Sequence, residues 1–271
     1  MFLYVSDLDG TLLNNNAIVS PNSKYLINKF LKDNVNFTVA TARTPATVSK
    51  LLKDINLTLP IITMNGSAIY DLQNDKYLYS LPLENNLVPI IQNLIDSENL
   101  NAFVYTLKDN HLFVYHNKLI NPYQIKFYNE RKDSTYKTFI EGSVPSDCRV
   151  LYFTIMDYED KVNSLYNKLK GITGISSIKY RDTYDKKIMN LEIYHTSSSK
   201  ANAINYLKNY FHFDKLITFG DNLNDIPMFK ISDECYAVEN AAEELKNIST
   251  KVIDSNDKDA VAKFILEHSN K

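Results

Sequence analysis

Glycine is scarce in this chain, with six among 271 residues. Scarcity on that scale leaves glycine where backbone geometry demands it, through positive φ or a close approach. Three of the six end apolar runs beside an acid or an amide, at Asp9-Gly10, Asn65-Gly66 and Gly220-Asp221. Cysteine is nearly absent. Cys148 and Cys235 stand far apart without paired spacing, which argues against a disulfide framework or a thiolate metal site and for thiols in a reducing cytoplasm. There is no basic excess: 30 Lys+Arg oppose 32 Asp+Glu, a formal net charge of -2. The electrostatic footprint of a dedicated nucleic-acid binder is therefore missing. No apolar run approaches a membrane span, and Met1 to Val5 reaches Asp7 without a basic leader, so no signal peptide is expected. These absences predict a cytoplasmic protein with neither nucleic acid nor membrane as partner. What is present, 44% hydrophobic and 23% charged residues, suffices for a large core without disulfides or metal.

The order of elements predicts an α/β protein. Phe2 to Ser6 is a short apolar run, and Ser20-Pro21 is a helix-opening pair. Leu26, Ile27, Phe30 and Leu31 then recur at helical spacing over 21–33. Val35 to Ala40 is the next strand, Thr44-Pro45 opens a second helix, and Pro60 to Met64 is a third strand. Strand and helix in alternation with short connections predict a Rossmann-like parallel sheet with covering helices. The rhythm then changes. A hairpin over 67–81 leads to a helix from about 84, two aromatic strands at 102–107 and 112–116, helices near 122–131 and 158–170, and strands near 149–156, 175–181 and 187–194. The parallel rhythm returns with a helix from Ser199, a strand at Leu216 to Phe219, and later strands at Tyr236 and Lys251. The expected organisation is a core formed by 1–82 and 188–271, interrupted by an α+β cap over 83–187 that chooses the substrate.

In an open parallel sheet, ligands bind beyond the carboxyl ends of the strands. Four such loops carry chemistry: Asp7-Leu8-Asp9-Gly10-Thr11, Thr41-Ala42-Arg43, Asn65-Gly66 and Gly220-Asp221-Asn222-Leu223-Asn224-Asp225. Asp7 and Asp9, two apart on an extended segment, are expected to point the same way. If they converge with Asp221 and Asp225, like charges ~4 Å apart repel by roughly 1 to 4 kcal/mol. A divalent cation resolves that, and all-oxygen ligands without a His or Cys cluster favour Mg²⁺. Such a site, with Thr41, Lys200 and backbone amides nearby, suits a phosphoryl group. One carboxylate attacks phosphorus, and a second serves as general acid and base.

These motifs resemble the haloacid dehalogenase (HAD) superfamily of phosphatases. Asn65-Gly66, the long insert between Thr41 and Lys200, and Ala237-Val238-Glu239-Asn240-Ala241 resemble its Cof-like branch. The resemblance implies that Asp7 is the nucleophile and Asp9 the acid and base. It implies that Thr41 and Lys200 grip the phosphoryl group, and that Asp7, the Asp9 carbonyl and Asp221 bind Mg²⁺ with Asp225 in support. Gly10, Ala42, Arg43, Asn65, Asn224 and Asn240 would line the substrate site. The chain departs from the family where Ala42 and Ala201 replace frequent glycines. The expected substrate is a small phosphorylated metabolite, a sugar phosphate or a phosphorylated cofactor. A phosphomutase and a non-catalytic sensor of phosphorylated ligands are the rival readings. No G-x-G-x-x-G follows the first strand and no G-K-[ST] loop occurs, which argues against a dinucleotide or P-loop enzyme. In the insert, Phe103, Tyr105, Phe113 and Tyr115 read as sheet packing, and Lys179, Arg181, Lys186 and Lys187 as a solvated basic face or a contact for an acidic substrate.

Overall fold

The computed structural model describes residues 1–269 except 183, 184 and 186. The chain divides into two compact units, Met1–Tyr79 with Ser199–Lys271, and Ser80–Ser198. The second unit extends past 187, where the sequence pattern placed its end, because Ile188–His195 pairs with two strands of that unit's sheet.

The first unit opens with β1 (Phe2–Ser6), α1 (Pro21–Lys32), β2 (Asn36–Val39), α2 (Pro45–Leu52), β3 (Ile61–Thr63), β4 (Ala68–Asp71) and β5 (Lys76–Ser80). The second contains α3 (Leu87–Ser97), β6 (Ala102–Lys108), β7 (His111–His116), α4 (Pro122–Asn129), β8 (Lys137–Glu141), β9 (Arg149–Tyr158), α5 (Glu159–Leu169), β10 (Ile175–Arg181) and β11 (Ile188–His195). The chain returns to the first unit with α6 (Lys200–Tyr210), β12 (Lys215–Gly220), α7 (Ile226–Lys230), β13 (Glu234–Val238), α8 (Glu243–Lys246), β14 (Lys251–Ile253) and α9 (Ala260–Ser269).

The main sheet of the first unit runs β14-β13-β12-β1-β2, with parallel pairing throughout. Strand order reverses at β1, so the carboxyl ends of β1 and β12 flank the switch point where open sheets bind ligands. α1 forms because Ser20 accepts the Ser23 N–H and Pro21 occupies the first turn, a cap contributing about 1 kcal/mol. It buries Ile27 and Phe30, with Phe30 edge-on to Phe37 of β2. The third sequence-predicted strand does not extend this sheet. β3 belongs to a separate sheet ordered β3-β4-β5 and touches the β2 segment through one parallel bridge, Ala40 to Ile62. No described helix is long and apolar enough to cross a membrane. Cys148 and Cys235 are both free and buried.

The second unit is a six-stranded sheet ordered β10-β11-β9-β6-β7-β8. Its pairings are antiparallel except that of β7 with β8, which is parallel. Side-chain alternation gives the sheet two different faces. Val104, Phe153, Ile155, Leu191 and Ile193 pack with Ile91, Ile95, Val162 and Leu165 of α3 and α5. The other face carries Phe103 and Tyr105 on β6, Tyr152 on β9 and Tyr194 on β11. Tyr105, Tyr152 and Tyr194 stack in a row with ring centroids 4.2 and 4.9 Å apart, and Phe127 of α4 lies 4.9 Å from Phe103. Tyr115 and Phe113 join the helix-side cluster.

Candidate active site

Asp7 follows β1 directly and is 5% exposed. Its N–H donates to the Phe219 carbonyl of β12 at 2.9 Å, so the parallel ladder continues one residue past the strand and fixes where the carboxylate starts. The chain then coils through Leu8–Leu12, interrupted by Asp9 in extended geometry and by Gly10 at φ 75. A Cβ on Gly10 would collide with the Asp221 carboxylate, so this loop approaches β12's loop as only glycine permits.

β12 delivers the second acidic loop. Asp225, fully buried, accepts N–H bonds from Asp221 at 3.0 Å and Asn222 at 3.1 Å through Oδ2. Its other oxygen accepts from Lys200 Nζ at 2.7 Å. The same ammonium donates to Asp7 Oδ1 at 2.6 Å. Lys200 opens α6 behind Ser199, which caps the helix through the Asn202 N–H. Gly66 sits against this entrance at φ 90, where a Cβ would strike the Ser199 carbonyl. Thr11 Oγ donates to Asp221 Oδ1 at 3.0 Å.

Asp7, Asp221 and Asp225 have carboxylate oxygens within 4.8 Å of one another. Among the described residues Lys200 is the one cation hydrogen-bonded within the group, so negative charge is in excess. Burial therefore holds the Asp7 carboxyl well above its ordinary range; Lys200 pulls it back and Asp225 pushes it further. Asp221 is pushed up to about 6 by burial and the Asp225 charge. Burial pulls the Lys200 ammonium down, but Asp225 and Asp7 together hold it above the usual lysine range. The three carboxylates form an all-oxygen donor set in a partly desolvated site, the chemistry that suits a hard divalent cation.

Asp9 does not join them. The strand ends at Ser6, so the alternation that aligned the two acids in the sequence does not persist. Asp9, half-exposed, is instead gripped by Arg43, whose Nε and Nη2 donate to its two oxygens at 2.8 and 2.6 Å. Thr41 is fully buried. Its hydroxyl accepts the Arg43 N–H at 3.1 Å, and its carbonyl accepts the Asn65 N–H at 3.0 Å, which joins the loops after β2 and β3. Asn65 is buried, in the left-handed region at φ 52. Asn240 donates to the Gly10 carbonyl at 2.8 Å and accepts the Asn256 N–H at 3.1 Å, so it braces the loop after β1. Ala42 and Asn224 are exposed on their turns. Two further residues bond to these loops without having been given a role in the sequence, Thr11 on Asp221 and Asn256 on Asn240. Thr11 was legible as the last residue of the Asp7 motif, whereas nothing around Asn256 marked it.

In the second unit, Arg181 pairs with Glu159 of α5 at 2.6 Å. Lys179 bonds Asn163 and lies 5.0 Å over the Tyr166 ring. Both cations are thus occupied on the helix side of the sheet. Lys187 is exposed, and Lys186 lies outside the described residues.

The geometry agrees with comparisons to known proteins. The chain is 25% identical over 272 residues to the 5-amino-6-(5-phospho-D-ribitylamino)uracil phosphatase YitU of Bacillus subtilis, covering 98% of this chain and 97% of that protein. It is 27% identical over 287 residues to YwtE, a phosphatase of the same name from that organism, covering 96% and 95%. Among solved structures, a haloacid dehalogenase-like hydrolase from Bacteroides thetaiotaomicron superposes with a TM-score of 0.79 at 21% identity, over 98% of each chain. The model of the haloacid dehalogenase-like hydrolases matches residues 4–265, and the chain belongs to that family.

Proposed function

We propose that the protein is a Mg²⁺-dependent phosphatase that hydrolyses small phosphorylated metabolites through an aspartyl-phosphate on Asp7. The observation that carries this reading is the buried Lys200 ammonium shared by Asp7 and Asp225. It orients the Asp7 carboxylate at the switch point of the sheet and leaves its second oxygen outside that ion pair. In the first step an Asp7 oxygen forms a bond to phosphorus as the bond from phosphorus to the ester oxygen breaks, and Asp9 gives a proton to the departing alkoxide. In the second, Asp9 takes a proton from water as the water oxygen attacks phosphorus, which frees Asp7 and inorganic phosphate. Thr41 and Lys200 hold the phosphoryl oxygens through both steps, and Arg43 orients Asp9. Asp7, Asp221, Asp225 and the Asp9 carbonyl would hold Mg²⁺, which neutralises the charge of the phosphoryl group.

Gly10, Ala42, Asn65, Asn224 and Asn240 belong to the loops around this centre and form its substrate side. The second unit acts as the cap in this reading and sets substrate choice. Phosphorylated sugars, polyols and cofactors are the substrate class, supported by the two Bacillus relatives whose names specify a ribityl phosphate. The test is phosphate release from a panel of such esters with Mg²⁺ and with chelator. Metal-dependent release that Asp7→Asn abolishes is the expected result. Conversion of a sugar phosphate to its isomer without free phosphate would replace hydrolysis by a mutase reaction.

A further inference from the structure

The loop after β1 keeps its shape partly through its own bonds, such as the Leu13 N–H to the Leu8 carbonyl at 2.8 Å. Two of its carbonyls are held from outside. Gly10 accepts from the Asn240 side chain at 2.8 Å, and Leu13 accepts from the Asn256 side chain at 2.9 Å. Asn240 follows β13 and Asn256 follows β14, strands that lie two and three places from β1 in the main sheet. The loops that end these outer strands are thus bonded to the loop that ends the central one.

Asn256 is 6% exposed, and its backbone N–H engages Asn240 Oδ1 at 3.1 Å. With that oxygen taken, the NH₂ of the Asn240 amide is left for Gly10, so Asn256 fixes which way Asn240 stands. Two residues on, the Ala242 N–H donates to the Asp221 carbonyl at 2.8 Å. One loop therefore grips both acidic loops at once. Where those loops meet, a Cβ on Gly10 would stand 2.4 Å from Asp221 Oδ2, and the Thr11 hydroxyl holds Asp221 Oδ1. Among the described residues neither amide bonds to the carboxylates of Asp7, Asp221 or Asp225. What the two amides fix is how closely the loop after β1 faces Asp221.

We propose, on the metal-binding part of the phosphatase reading, that Asn256 and Asn240 are positioning residues that hold the Gly10 turn against Asp221 and so set the spacing of the oxygen donors for the cation. Groups that support metal ligands without touching the metal change affinity by about 10- to 100-fold when removed. Spacing matters most for Mg²⁺, which demands near-ideal octahedral geometry at short range, and less for Ca²⁺, whose larger and looser shell adapts. Releasing the hold should therefore cost the smaller ion more.

The test is calorimetric titration of the full chain with Mg²⁺ and, separately, with Ca²⁺. Asn256→Ala is expected to weaken Mg²⁺ binding about tenfold and Ca²⁺ binding less, so that the preference between them shifts toward Ca²⁺. Asn240→Ala, at an exposed position, should shift it the same way and serves if the buried variant fails to fold. Asn22→Ala removes a neutral amide bond of 2.8 Å to Asp259, just past the turn that carries Asn256, and should leave both affinities unchanged. Equal losses for the two ions, an unchanged Mg²⁺ affinity in the Asn256 and Asn240 variants, or the same shift in Asn22→Ala would each overturn the proposal. A wild type that binds neither ion would overturn it together with the metal-dependent reading. A wild type that binds Mg²⁺ but releases no phosphate from any ester would sink the phosphatase reading alone, with the proposal standing on the titrations.

Discussion

The two units each bury a lysine, and the pair forms a natural comparison. Lys200 is 2% exposed and Lys137 is 3% exposed, so desolvation acts on both in the same direction. Lys200 has two carboxylates within 2.7 Å and holds its proton above the usual range. Lys137 has the rings of Tyr105, Phe127 and Phe139 around it and the Arg131 guanidinium as a neighbour, and its ammonium is weakened. Burial alone therefore does not decide the state of a buried amine. Its partners do, because charge-assisted hydrogen bonds are worth more than ring faces.

Changing each partner in turn sharpens that contrast. The largest effect is expected at Asp7, the shared acceptor on the reactive side: Asp7→Asn should cut phosphate release by at least about a thousandfold, measured as turnover of a phosphomonoester by protein shown to be folded by circular dichroism. Lys200→Met leaves Asp7 and Asp225 facing each other without their cation and should cost about 3 to 5 kcal/mol of stability, read from urea denaturation with chelator present. Equal stability would mean that the ion pair contributes nothing net to the fold.

The contrasting substitution, Lys137→Met, should stabilise the protein by roughly 2 to 3 kcal/mol at neutral pH. The sign follows from the proton. The folded-state value is depressed, so the penalty is complete below about 8 and is relieved as pH rises toward the unfolded lysine value. Wild type should therefore gain on the variant between neutral and alkaline pH, and denaturation midpoints across that range test it. A parallel pH dependence in both proteins would remove the contrast. The smallest effect belongs to a partner outside the buried pair: Arg43→Met frees Asp9 and should lower kcat about tenfold, or ~1.4 kcal/mol, with KM less affected. An unchanged kcat would show that Asp9 needs no orientation by Arg43.

The parts of the molecule that were legible in the sequence are those with strong local signals. Ser20-Pro21, the apolar run at Phe2 and the glycines at 10, 66 and 220 each encode a local geometry, and the first unit's parallel sheet followed from their alternation. The acid loops were legible for the same reason: residues after buried strands fall where the sheet presents them. Other features depended on distant partners. β3 entered a separate sheet because β4 offered it an antiparallel neighbour immediately downstream, which periodicity does not reveal. β8 was missed because Lys137–Glu141 is short and polar at both ends, and β7 supplies its ladder. The strand at 187–194 reads with the α+β stretch, but the boundary drawn at 187 leaves it outside; its ladders to β9 and β10 carry it into the second unit. Asp9's partner was equally hidden, since Arg43 reaches it only once β1 and β2 pair.

The discontinuity of the first unit bears on how the protein is made. β1 is flanked by β2, which is translated soon after it, and by β12, where Phe2 registers with Lys215. At about 5 to 20 residues per second, that second neighbour reaches a growing chain roughly 10 to 40 s after the first strand leaves the ribosome. The whole of the second unit is translated in the interval, and its contacts are available to it throughout. β1, synthesised well before β12, thus completes its hydrogen-bonding ladder late, with one edge open during elongation, where unpaired strands invite aggregation. Expression yield of this protein should consequently depend on translation speed and temperature more strongly than its equilibrium stability does.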